Sequence, residues 1–131
     1  MRLALDSDPR VNLVRRYGDG EIVIGAQRIV RACIVAPNRL MLDWTAGSFE
    51  ELSEAPLEPA QLTSRLEPLL LAGAGIVLLG SGLLQPFPSA RLRAAFRERN
   101  IALECMTLGA ACRTYNILAT EERSVIAGLF P

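Results

Sequence analysis

The chain has 131 residues with no histidine and no lysine, and all 14 of its basic residues are arginine. The first absence removes the commonest general base at neutral pH and the commonest zinc ligand. No Ser-His-Asp or Cys-His site can form within one chain. The second removes any Schiff-base lysine and the lysine of a phosphate-binding P-loop. Cysteine is sparse as well. Cys33, Cys105 and Cys112 make an odd count without Cys-x-x-Cys spacing, which argues against a disulfide framework and a zinc knuckle and fits a reducing compartment. No cofactor and no metal are expected. Net charge is also missing, because 14 acidic residues balance the arginines. A nucleic-acid binder normally carries a basic excess to neutralise phosphates, so nucleic acid is not an expected partner.

What is present is apolar. Half of the residues are hydrophobic, enough for one real core in one domain spanning residues 1–131. Charge is uneven along the chain, with the acids Asp43, Glu50, Glu51, Glu54, Glu58 and Glu67 concentrated in the middle against Arg65. Residues 68–90 carry no charge, but Gly73, Gly75, Gly80, Gly82, Pro86 and Pro88 break them into pieces too short to span a membrane. The start of the chain meets Asp6 and Asp8 before any hydrophobic signal region, so no leader is expected.

The first third predicts β-structure. Strands are expected at Val11–Tyr17, Glu21–Ile24, Ile29–Val35 and Leu40–Trp44, separated by Gly18-Asp19-Gly20, Gly25-Ala26 and Pro37-Asn38. An acidic connection over 45–58 follows. Pro59 then suits the first turn of a helix in which Leu62, Leu66, Leu69 and Leu70 form one stripe. Ile76–Leu79 is a continuous apolar strand, Ser89–Arg99 a helix closed by Asn100, and Ile101–Cys105 a further strand. Thr107 caps a helix over Leu108–Leu118, and Thr120 is read as the cap of a last short helix. Helices alternating with apolar strands predict a parallel portion of sheet. The expected fold is a three-layer α/β domain, with a central mixed sheet, an N-terminal antiparallel meander as an extra β-layer, and helices packed on the sheet.

Two places could carry function. Gly80-Ser81-Gly82 follows a strand, where ligands of open α/β sheets gather and glycines let backbone N–H groups face an anion. The spacing then departs from a dinucleotide fingerprint, with Gln85 where the third glycine would stand. The plainer reading is a tight turn that needs positive φ. The second place is 104–123. Its helix carries Leu108, Ala111, Tyr115 and Leu118 on one stripe and Gly109, Arg113, Asn116 and Thr120 on the other, with small Ala110 and Ala111 inviting close approach. If the two strands are parallel neighbours, Ser81, Met106, Thr107 and the helix start converge in one cleft. By composition alone the polar strip is more simply a solvated face that satisfies loop carbonyls. Glu104, in an apolar strand, would be raised in pKa by burial and lowered again by Arg113 or Arg123, and a structural ion pair is its commoner explanation. Cys112, near a helix start and Arg113, would be a somewhat acidic thiol without a base to activate it. Trp44 reads as a core anchor.

The run Glu104-Cys105-Met106-Thr107, then Ala111-Cys112-Arg113-Thr114-Tyr115-Asn116-Ile117-Leu118 and Glu121-Glu122-Arg123, resembles one family of small domains. That family includes mitochondrial respiratory complex I assembly factor 3 and many uncharacterised bacterial and archaeal proteins. Tyr17-Gly18-Asp19-Gly20, Ile22-Val23-Ile24-Gly25, Pro37 with Asp43-Trp44, and Gly80-Ser81-Gly82 fall in the same order. Ser81 stands where the family often has Thr, and Glu122 where it often has Gly. The resemblance implies a three-layer fold and no established enzymatic activity. It also implies protein partners, among them subunits of a membrane complex or its biogenesis machinery.

The first expectation is thus a cytoplasmic, bacterial, non-enzymatic interaction domain. The alternative is a binder of small molecules or anions, or an enzyme, using a cleft between Gly80–Gly82 and the 104–123 segment. The residues expected around that cleft are Gly80, Ser81, Gly82, Glu104, Met106, Thr107, Cys112, Arg113, Thr114, Asn116 and Arg123. A homodimer whose interface absorbs the apolar excess is a third expectation.

Overall fold

A computed structural model describes residues 10–131; the expectation about a leader, with Asp6 and Asp8, lies outside the described residues. The meander begins with β1 (Val14–Gly18), β2 (Glu21–Ile24) and β3 (Gln27–Ile29), an antiparallel three-stranded sheet. Asp19 and Gly20 both take positive φ (53° and 80°) between the paired Gly18 and Glu21, the tight hairpin that an Asp-Gly dipeptide favours. The single strand expected over Ile29–Val35 is two strands. Val30 is exposed at the corner where the chain leaves this sheet for the next, and β4 (Cys33–Ala36) then pairs with β5 (Arg39–Met41).

The acidic connection contains a helix, α1 (Phe49–Glu54). Its start is a reciprocal cap, in which Ser48 Oγ accepts from Glu51 N–H at 3.0 Å and Glu51 Oε1 accepts from Ser48 N–H at 3.2 Å. At its other end the Arg91 guanidinium donates to the carbonyls of Glu51 and Leu52. Pro59 opens α2 (Pro59–Leu70), whose Leu62, Leu66, Leu69 and Leu70 are buried as their spacing requires. Then follow β6 (Ile76–Ser81), α3 (Ala90–Arg97), β7 (Ala102–Met106), α4 (Leu108–Thr120) and β8 (Val125–Phe130). Asn100, in the left-handed region at φ 58°, closes α3.

The short helix expected after Thr120 is replaced by β8. The helix α4 runs through Thr120 and ends when Glu122 takes φ 59°. Glu122 N–H then donates to Ala119 C=O at 3.1 Å and Arg123 N–H to Leu118 C=O at 2.9 Å, a Schellman closure. The run Val125–Phe130 has no polar alternation because it is buried on both faces, which is a strand pattern.

The five-stranded sheet has the order β5-β4-β8-β6-β7. Strands β8, β6 and β7 are parallel, and β4 is antiparallel to both β5 and β8. From β6 the chain moves outward to β7 and then back across β6 to β8. Two right-handed crossovers in opposite directions put their helices on opposite faces. One core accordingly holds α1, α2 and α3, with Trp44, Phe49, Leu66 and Phe96 against Val77, Leu79, Ile126 and Phe130. The other holds α4 and the small sheet, with Ile22, Ile24, Ile29 and Tyr115 against Leu78, Ala127 and Leu129. The mixed sheet, the β-layer and the packed helices are as expected from the sequence, with α4 sharing the face of the β-layer. Trp44 is the expected anchor: it is buried, its Nε1 donates to Arg65 C=O at 2.8 Å, and its ring lies over Gly128, where a Cβ would come within 2.8 Å.

Candidate functional site

Because α3 and α4 leave the ends of neighbouring strands toward opposite faces, a crevice opens at the C-terminal ends of β6 and β7. Gly80 pairs with Met106 across these strands, and Leu108 N–H donates to Gly82 C=O at 3.0 Å. A cleft of about 860 Å³ lies there. Its walls are the β1–β2 turn, the segment Ser81–Leu83, the starts of α1 and α4, Arg113, and Phe130-Pro131. Arg113 and Tyr17 form one wall. The guanidinium carbon stands 5.8 Å from the tyrosine ring centroid, and Arg113 Nη1 donates to the Tyr17 hydroxyl. Gly109 belongs to the same contact, since a Cβ there would lie 2.8 Å from Tyr17 Cε1.

The expected site residues divide sharply. Ser81, Gly82, Thr107 and Arg113 do line the cleft. Thr107 caps α4, its hydroxyl accepting from Ala110 N–H at 3.2 Å. The turn reading holds for Gly82, at φ 72°, but not for Gly80, which is extended inside β6. Gly80 is small because α4 crosses it directly: a Cβ would stand 2.4 Å from that of Ala111, the close approach that the alanine pair invites.

The remaining residues do not line it. Met106 packs against the core beneath α4. Cys112 is buried in that core, and desolvation pushes its thiol up to about 12, the reverse of the acidic thiol expected beside Arg113. Burial likewise pushes Cys33 and Cys105 up to about 12. Glu104 is exposed on β7 and forms no ion pair among the described residues, so neither the burial nor the Arg partner expected for it is found. Thr114 is half-buried on α4.

Asn116 is taken by β1. Its Oδ1 accepts from Val14 N–H at 2.9 Å and its Nδ2 donates to Val14 C=O at 2.8 Å, so the amide stands in for a missing strand neighbour. Tyr115 fixes the same segment by donating its hydroxyl to Asn12 C=O at 2.7 Å. Burial raises the pKa of that phenol. Arg123 lies at the far end of α4, beside a smaller hollow of about 410 Å³. Among the described residues there is no cluster of three His, Cys, Asp or Glu that could hold a metal, and no helix long and apolar enough to cross a membrane.

Sequence reasoning missed Tyr17 and Asp19 of the hairpin, Ser48 and Glu50 at the α1 start, and Leu83 in the loop after β6. The Ser48-x-x-Glu51 capping box was the available signal for α1. The loop is the more consequential omission. Leu83, Leu84 and Phe87 are 96%, 85% and 81% exposed in one short irregular segment after β6, of which Leu83 lines the cleft. Such grouped exposure marks interaction sites rather than ordinary surface.

A family profile described as "Protein of unknown function (DUF498/DUF598)" matches residues 14–130. The chain belongs to this family. It is 28% identical over 123 residues to the Bos taurus protein named NADH dehydrogenase [ubiquinone] 1 alpha subcomplex assembly factor 3, covering 94% of this chain and 62% of that protein. The Xenopus tropicalis protein of the same name is 26% identical over 118 residues, covering 90% of this chain and 60% of that one. The chain thus spans about three-fifths of the length of these curated relatives. A Xanthomonas campestris protein solved by NMR superposes with a TM-score of 0.76 at 28% identity, covering 98% of this chain and 92% of the other. The fold and the family expected from Arg113-Thr114-Tyr115-Asn116 and its neighbours are therefore both found.

Proposed function

We propose that this domain is a non-catalytic docking module that holds other proteins while a larger complex is assembled, and that the rim of the cleft is its docking surface. The observation that carries the reading is the exposed group Leu83, Leu84 and Phe87 beside a cleft walled by Tyr17 and Arg113. Exposed apolar side chains next to an amphipathic aromatic and an arginine form the composition of a protein-binding hot spot. The names of the relatives support the same reading, with partners drawn from membrane-complex subunits or their biogenesis machinery. The domain works as one unit in the cytoplasm.

Cross-linking capture from native lysate tests this, comparing the wild type with a Leu83→Ser/Leu84→Ser/Phe87→Ser variant and with Arg113→Ala. Partners recovered by the wild type and lost from both variants are expected; identical recovery from all three sinks the reading. The rival occupant of the cleft is a small carboxylate or phosphate held by Arg113. A thermal-shift panel separates the two, because a ligand at 100 times its Kd would stabilise the fold by about 2.7 kcal/mol.

A further inference from the structure

One of the two edge strands of the five-stranded sheet, β7, has β6 on one side and no further strand among the described residues on the other. Its backbone phase can be read from two contacts. Just past the strand ends Leu108 N–H donates to Gly82 C=O at 3.0 Å, whereas Cys105 C=O accepts at 2.6 Å from Gln85 Nε2, a side-chain donor outside the β6 ladder. The backbone groups of one strand residue share a side and the side alternates along the strand. Leu103 and Cys105 therefore turn their N–H and C=O groups outward, while Ala102, Glu104 and Met106 bond to β6.

Natural edges are usually blunted by proline, lysine or a bulge. Here β7 has none of these and is regularly paired from Ala102 to Met106. Its only charge is Glu104, which is exposed and has no ion-pair partner among the described residues. The Gln85 contact also ties the apolar loop of Leu83, Leu84 and Phe87 to this same edge. An incoming backbone would take over the acceptor that Gln85 now occupies.

Building on the docking reading, we infer that the outer edge of β7 receives an extended strand of the partner protein, which carries apolar side chains toward the Leu83–Phe87 loop and a cationic side chain opposite Glu104. The outward N–H and C=O groups of Leu103 and Cys105 have the spacing that another strand matches, and the flanking side chains select which one. A second copy of this chain is the poorer occupant. The antiparallel register that sets Leu103 of one copy against Cys105 of the other places Glu104 directly opposite Glu104, and like charges in that position destabilise a pair.

Selection from a random-peptide display library tests this on the wild type and on Glu104→Lys, followed by hydrogen exchange with the enriched peptides. Wild-type selection is expected to yield alternating apolar residues with Lys or Arg between them, and Glu104→Lys selection to replace that cation with Asp or Glu. The amides of Leu103 and Cys105 should slow by on the order of tenfold or more when peptide binds. Absence of enrichment, a consensus indifferent to the charge reversal, or unchanged exchange at those two amides overturns the inference. So does protection of both amides without peptide in a sample that light scattering shows to be dimeric. Partner capture that depends on the loop while the two amides stay unprotected removes the edge inference and leaves the docking function standing. Capture indifferent to the loop removes the docking function itself.

Discussion

Replacing one hydrogen at Gly80 tests how α4 is seated on the sheet. In Gly80→Ala the new methyl would begin 2.4 Å from Ala111 Cβ, 3.3 Å from Leu129 Cδ2 and 3.4 Å from Leu108 Cα. Carbon atoms rest at about 3.5–4.0 Å, so the helix must retreat by roughly 1 Å or more. Both sides of the contact are regular backbone elements with no flexible side chain to give way. Overpacking of this kind costs about 1–3 kcal/mol, and for a chain of this size that lowers Tm by on the order of 10 °C. Urea and thermal unfolding of a double-mutant cycle provide the assay. Ala111→Gly alone loses about 1 kcal/mol of helix propensity, yet in the Gly80→Ala background it removes the opposing methyl and should recover part of the loss. A coupling of about 1–2 kcal/mol between the two positions is expected. Additivity within about 0.5 kcal/mol, or a Gly80→Ala protein as stable as the wild type, would refute the direct crossing of β6 by α4.

Other outcomes follow from the same geometry. Glu122→Gly relieves a left-handed backbone position at φ 59° and should raise stability by about 0.5–1 kcal/mol in urea unfolding. Asn116→Ala leaves both backbone groups of Val14 without their partner and should lower stability by about 2 kcal/mol, with faster exchange of the Val14 amide. The Leu83→Ser/Leu84→Ser/Phe87→Ser variant should unfold within about 1 kcal/mol of the wild type, since these side chains are exposed; a large loss would assign them to packing. Cys33, Cys105 and Cys112 ionise near 9 when unfolded but are pushed up to about 12 in the fold, so their contribution is intact below pH 9 and is lost between about pH 9 and 12. Unfolding free energy should therefore fall with rising pH across that window, and thiol reagents at pH 8 should label the buried Cys33 and Cys112 only after denaturant is added.

Much of the fold was written in local pattern. The leucine stripe of α2, the Asp19-Gly20 hairpin and the apolar run at Ile76 each bury or turn as their spacing demands. The failures arose where local chemistry permits two answers. Thr120-Glu121-Glu122 is an acceptable helix start, and only the packing of Val125–Phe130 between β4 and β6 decides for a strand. The polar strip of α4 misled in a different way. Periodicity finds a face but not what lies against it, and here that face meets β1 through Asn116 and Tyr17 through Gly109 and Arg113. Loop exposure has no sequence period at all, so Leu83, Leu84 and Phe87 became visible only with the structure.

The position of β8 has a consequence for how the protein is made. It is translated after every other described strand, yet it occupies the middle of the sheet and, among the described residues, is the strand that joins the β4–β5 hairpin to the β6–β7 pair. Until residues 125–130 emerge, a nascent chain holds two half-sheets with open edges and neither core closed. Until then the nascent domain presents unfinished, adhesive surfaces, and the pairing of β8 joins the two halves at once.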